Sequence, residues 1–188
     1  MVRGKPGIML IAALLALAPL AASGQQAPPE PENFRLDDYR APTPKSLKGA
    51  RTISTAEAEN LWRTKAAVFV DVMPHVAKPK NLPPGTIWRD KPRFNVPGSV
   101  WLPDTGYGEL AAATAAYFAT GLATSTGGDR GKPIVIYCLR DCWMSWNAAK
   151  RALSLGYGNV IWYPDGTDGW QEADLPLEQA QPVPHPGE

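Results

Sequence analysis

Reactive side chains are scarce in this chain. Of 188 residues, two are cysteines and two are histidines, too few for a disulfide-stapled scaffold. His185 lies in a proline-rich tail, so His75 alone is available to a site inside a domain. Excess charge of one sign is missing too: 19 Lys+Arg stand against 18 Asp+Glu. That balance excludes nucleic acid as the main partner. No internal repeat is present, and no apolar run is long enough to cross a bilayer comfortably. What the chain has in abundance is proline (20) and tryptophan (7).

The first residues read as a targeting segment. Arg3 and Lys5 precede an apolar run from Ile8 to Ala22, and Ala22-Ser23-Gly24 offers small residues for cleavage. This is the pattern of a secretory signal peptide over residues 1–24, cleaved near Gly24. No cysteine follows the run, which argues against a lipid anchor, and a mature chain without a membrane span is expected in the periplasm. In an oxidising compartment a lone pair of thiols tends toward a disulfide unless something keeps it reduced.

Residues 25–50 form a proline-rich leader, either an extended segment that Phe34, Leu36 and Tyr39 pin to the domain surface or a disordered tether. Ser54-Thr-Ala-Glu57 has the form of a capping box and predicts a short helix through Leu61 and Trp62. The run Ala66 to Val72 predicts a buried strand carrying Asp71, and residues 73–98 a long loop. Val96 to Pro103 encloses a third short strand, and alanine-rich Tyr107 to Leu122 predicts a helix. Ile134 to Tyr137 and Asn159 to Tyr163 are further buried strands, separated by a helix over Ser145 to Leu155 that Gly156 stops. Pro164 to Gly169 reads as a turn, with Asp165 and Asp168 as turn residues. Strands alternating with helices predict an α/β domain, its central parallel sheet flanked by helices. Ligands of such sheets bind at the carboxyl ends of the strands. That rim gathers Asp71 to His75, Trp101 to Asp104, Cys138 to Trp143 and Pro164 to Asp168.

Both cysteines fall on this rim, in Cys138-Leu-Arg-Asp-Cys142-Trp143. A thiol between a strand end and a helix start meets amide N–H groups and the positive end of the helix dipole, which favour the thiolate. An i, i+4 pair on a regular helix joins poorly, so a disulfide requires Cys142 to lie in the loop.

Several landmarks resemble a single rhodanese-like domain. Val70-Asp71-Val72 resembles the family's first core strand. Val96-Pro-Gly-Ser-Val100 resembles its proline-glycine segment, with Asn95 in place of the preceding histidine. Tyr137-Cys138 resembles the active-site strand and nucleophile, Leu155 to Val160 the "GY-x-N-V" segment, and Gly166 to Trp170 with Leu175-Pro176 the closing motif. The domain is then expected over residues 51–178, with a flexible tail at 179–188. Cys138 to Asn147 is similar to the hallmark of a periplasmic subfamily, the PQQ-dependent catabolism-associated CXXCW motif proteins. This resemblance implies an accessory role beside quinoprotein alcohol dehydrogenases. The loop departs from ordinary rhodaneses by its second cysteine, its greater length and the lack of a closing basic residue.

The expectations for the loop follow. Cys138 attacks and Cys142 resolves, in thiol redox or persulfide chemistry. Arg140 would hold an anion, Trp143 and Trp146 would shape a pocket for a flat ligand or partner, and Asp71 would cap loop amides or act as an acid or base. Basic Lys78, Lys80, Arg89, Lys91 and Arg93 lie near them in sequence. A structural disulfide without chemistry is one alternative. Another is a non-catalytic Cu(I) carrier using Cys138, Cys142, Met144, Met73 and His75, or an adaptor docking on a periplasmic dehydrogenase or thiol-redox protein. No resident cofactor is firmly implied.

Overall fold

The computed structural model describes residue 1, residues 27–76 and residues 78–185. The expected signal segment falls almost wholly outside the described residues. Within them, no helix is long and apolar enough to cross a membrane.

Five parallel strands form the central sheet. In chain order they are β1 (Arg51–Thr52), β2 (Val68–Asp71), β4 (Val100–Trp101), β5 (Ile134–Tyr137) and β6 (Val160–Tyr163), arranged in space as β1-β6-β5-β2-β4. β3 (Arg93–Asn95) pairs antiparallel with β7 (Glu178–Ala180) in a small separate ribbon. Four helices complete the fold: α1 (Thr55–Arg63), α2 (Ala112–Thr126), α3 (Trp143–Ser154) and α4 (Gly166–Glu172). This is the expected α/β architecture, a central parallel sheet flanked by helices.

Strand alternation divides the core in two. Ile134, Ile136 and Cys138 join Val70, Val72, Val160 and Trp162 in one apolar cluster with residues of α2 and α3. Val135 and Tyr137 point to the other face, with Phe69, Ile161, Tyr163 and Trp170, beneath α1 and α4. All four residues of β5 and of β6 are buried, as strands covered on both faces must be. Each large apolar side chain so buried contributes about 1.5–3 kcal/mol. Cys138 inherits the register of β5, and its 0% exposure follows from that period of two.

Local signals place the elements. Ser54 and Glu57 form the reciprocal capping box of α1. The helix predicted over Tyr107 to Leu122 begins later and runs to Thr126, where Gly127 closes it in the left-handed conformation. The supposed turn after Pro164 is the start of α4. β7 is a further difference: residues 179–183, the start of the segment expected as a flexible tail, are held. The ribbon with β3 fixes Glu178–Ala180, the Val183 amide donates to Trp101 O at 2.9 Å, and Tyr117 Oη donates to Val183 O at 2.7 Å.

Gly166 sits at φ 51°, and a Cβ there would collide with the carbonyl of Cys138. The left-handed conformation alone costs an L-residue roughly 1–2 kcal/mol. Gly166→Ala is expected to lower the urea midpoint by the equivalent of about 2 kcal/mol or more, measured by equilibrium unfolding.

Candidate active site

Asp71 ends β2 at the centre of the carboxyl rim and is fully buried. Its Oδ1 accepts the Met73 amide at 2.9 Å, and its Oδ2 accepts Arg93 Nε at 2.7 Å. Burial pushes the Asp71 carboxyl up, against the charge and hydrogen bond of Arg93. The carboxylate is therefore fully committed to loop amide and guanidinium, a positioning role. Arg93 continues the network to Thr167 Oγ1 at 3.3 Å and to Cys138 O at 3.4 Å. The Thr167 amide donates to the same carbonyl at 3.0 Å. These donors from the β3 ribbon and from α4 fix the first residue of the thiol loop.

The loop itself turns through Asp141, at φ 50°, a conformation aspartate tolerates better than most residues. Cys142 follows as the residue that starts α3. Both cysteines thus lie outside the helix, which removes the geometric obstacle to joining them. They are free thiols and both are buried. Cys138 Sγ faces two carbonyl oxygens, Leu139 O at 3.7 Å and Cys142 O at 3.6 Å. Burial first, then the neighbouring Cys142 sulfur, pushes the Cys138 thiol well above its ordinary range; Ser145 and the Leu139 amide oppose this more weakly. Cys142 moves the other way. The Cys138 S–H is the leading cause, opposed by burial and reinforced by the amides of Met144 and Leu139 and the charge of Arg40. The interior therefore pushes the two thiols in opposite directions, Cys138 up and Cys142 down.

The remaining expected residues are placed as follows. Arg140 does not face an incoming anion: its guanidinium binds Glu172 through two contacts of 2.6 Å and Asp165 at 3.3 Å. Two carboxylates already answer its charge. Trp143 and Trp146 are 3% and 0% exposed and pack edge to face at 5.5 Å, so they wall the loop from inside and offer no open platform. Trp88, in the long insertion, donates to Asp90. Met144 lies in the core beside the cysteines. His75 instead packs on Trp101 and faces Asp90. Together with Met73, Arg93 and Leu139 it lines a shallow cavity of about 240 Å³. Among the described residues no three or more His, Cys, Asp and Glu are arranged to hold a metal ion, and the His75 imidazole lies with Trp101 and Asp90.

A cover over the loop went unread in the sequence. Residues 35–40 of the leader cross the start of α3. Tyr39 O accepts the Trp143 amide at 2.9 Å. Buried Asn147 grips the backbone of Arg35, accepting its amide and donating to its carbonyl, each at 2.9 Å. The Arg35 guanidinium lies 5.4 Å above the Trp143 ring, and Arg40 donates to Arg140 O at 2.8 Å. Arg151 of α3 ties down the adjacent 105–108 loop through the carbonyls of Thr105, Tyr107 and Gly108. Phe34, Leu36 and Tyr39 were the only hints, and the receiving groups on α3 carried none.

This arrangement is a parallel α/β sheet with a thiol at the end of its central strand. Residues 54–173 match the family described as the rhodanese-like domain, and the chain belongs to that family. Among solved structures it is similar to a thiosulfate sulfurtransferase from Pseudomonas aeruginosa, at 18% identity and TM-score 0.47. That match covers 71% of this chain and 21% of the other, so the chain spans about a fifth of that enzyme. It is also similar to a polysulfide-sulfur transferase from Wolinella succinogenes, at 17% identity and TM-score 0.44, covering 74% and 84% of the two chains. A rhodanese-like domain from Anabaena matches at 13% identity and TM-score 0.45, covering 73% and 87%. No curated protein matches the sequence.

Asp71→Asn leaves the Arg93 guanidinium, 13% exposed, without its counter-charge. A destabilisation of about 3 kcal/mol is expected in chemical unfolding. Asn147→Ala removes both bonds to the Arg35 backbone, each worth about 1 kcal/mol. Alkylation of the native thiols is then expected to accelerate about tenfold or more, read by quenched-flow labelling and mass spectrometry.

Proposed function

We propose that this chain is an exported member of the rhodanese-like family in which Cys138 and Cys142 carry out thiol redox or persulfide chemistry. In this reading it is an accessory to PQQ-dependent alcohol oxidation. The observation that carries the chemistry is the pair itself: two free thiols on one loop, Cys138 directly after β5 and Cys142 at the cap of α3, with Cys138 Sγ 3.6 Å from Cys142 O. A persulfide on either sulfur lies within reach of the other, which would attack it, release sulfide and leave a disulfide. A dithiol/disulfide cycle therefore suits the site better than a long-lived persulfide. The pairing of Arg140 with Glu172 and Asp165 points the same way, because the loop keeps no unanswered cation for an anionic donor. Support for export comes from the residue pattern of positions 1–24, and support for the accessory role from the likeness of Cys138 to Asn147 to the CXXCW motif proteins.

The test is intact-mass analysis of the full exported protein, trapped with an alkylating agent, before and after thiosulfate and before and after cystine. Reversible loss of two hydrogens with cystine, and no retained sulfur after thiosulfate, is the expected result. One stably added sulfur would make the protein a sulfurtransferase; equal turnover by a Cys138→Ser, Cys142→Ser double variant would remove the thiols from the function. Deleting the gene and measuring quinoprotein alcohol dehydrogenase activity checks the accessory role, which unchanged activity would refute.

A further inference from the structure

The familiar position for the nucleophile is the residue that follows the active-site strand, here Cys138. The surroundings of the two sulfurs point elsewhere. Cys138 is an extension of β5 packed into the α2/α3 core, with 0% exposure. Its Sγ looks at two carbonyl oxygens, partial negative charges that a thiolate would be repelled by. Its own carbonyl is held by Thr167 and Arg93, which fixes the backbone of Cys138 on the rim. Cys142 is buried in the same cluster, at 2% exposure, but on a different element. It stands at the head of α3, a helix of 12 residues, where the dipole and the first amides favour negative charge. The next residue is bonded to the leader through Tyr39 O, and Arg40 is near enough to act on the Cys142 sulfur. Lifting residues 35–40 exposes the start of the helix while β5 stays buried.

We infer that Cys142 is the attacking sulfur and Cys138 the buried resolving thiol, acting on a disulfide substrate once the leader lifts. This rests on the thiol-redox reading above and reverses the roles expected from the family. In the first step the Cys142 thiolate attacks one sulfur of the substrate disulfide. A Cys142–S bond forms, the substrate S–S bond breaks, and one substrate thiolate leaves with the electron pair. In the second step Cys138 gives up its proton to that thiolate and attacks Cys142 Sγ. The Cys138–Cys142 bond forms, and the second substrate thiolate departs. The protein loses two electrons and the substrate disulfide gains them, leaving as one thiol and one thiolate.

The experiment uses the full chain and an aromatic disulfide, 5,5′-dithiobis(2-nitrobenzoate), whose released thiolate is coloured. Wild type is expected to release two equivalents and end as an internal disulfide. Cys138→Ser is expected to release one equivalent at a comparable rate and to keep a mixed disulfide on Cys142. Cys142→Ser is expected to react about a hundredfold more slowly or worse. The reverse pattern, with a fast mixed disulfide on Cys138, overturns the inference while leaving thiol chemistry intact. A wild type whose folded thiols are inert overturns the underlying reading and this inference together. A second measurement needs no variant: wild type treated with substoichiometric iodoacetamide, then mapped by peptide mass. The label is expected on Cys142, with a rate that rises through a midpoint near pH 6, since the Cys142 thiol is lowered to about 6. Label on Cys138, or a midpoint in the ordinary thiol range of about 8.5, overturns the assignment.

Discussion

The buried ion pair between Asp71 and Arg93 is the joint on which the rim depends. It binds the end of a central strand to a ribbon that the main sheet does not include. Through Arg93 it also reaches the carbonyl of Cys138 and the hydroxyl of Thr167. Taking two charges out of water is costly, and such a pair is weak evidence of stability for its own sake. Its value is positional: four separate segments of chain are made to agree on where the thiol loop begins. With Cys138 O fixed from one side, the loop has freedom only toward α3, and that is where Cys142 stands.

The same economy shows in how the two sulfurs are treated. They are four residues apart, yet one extends a strand and the other heads a helix. Burial raises the first sulfur, while the S–H of the first, with backbone amides, lowers the second, so their different places in the fold push the two thiols in opposite directions. Most of the arginines around the loop are spent locally: Arg140 on Glu172 and Asp165, Arg93 on Asp71, Arg151 on backbone carbonyls. The Cys142 sulfur is lowered chiefly by the neighbouring S–H and by amides, with the charge of Arg40 as a smaller contribution. The absence of a closing basic residue in the loop is then consistent with the chemistry and not a defect in it.

Much of this was legible in the sequence, for reasons that differ by element. β5 and β6 were clear because a strand buried on both faces must be written as an unbroken apolar run, and α1 because its capping box is a local code. The thiol pair was visible as soon as β5 was. What could not be read are features whose cause lies elsewhere in the chain. α4 looked like a turn because Gly166 and Gly169 are turn residues by habit; Gly166 is needed for close passage of the Cys138 carbonyl, a contact 28 residues away in sequence by subtraction of the numbering. The start of α2 was misplaced because Arg151 holds the preceding loop by its carbonyls. Arg140 was given to an anion because Glu172, its true partner, lies 32 residues on. β7 carries no strand-forming side chains, and the backbone of β3 recruits it. The roles of the two thiols depend on groups from the leader and from α3, which no spacing rule connects.

The leader is attached chiefly through its main chain. Asn147 reads the amide and carbonyl of residue 35 and not its side chain, and the Trp143 amide reads the carbonyl of residue 39. The space for that close approach is provided by Gly108, where a Cβ would collide with the Arg35 carbonyl. Instructions for the cover are thus written mainly on the surface that receives it. The leader's own side chains can drift during evolution with modest effect on thiol access, while one methyl group added at position 108 would prise it loose.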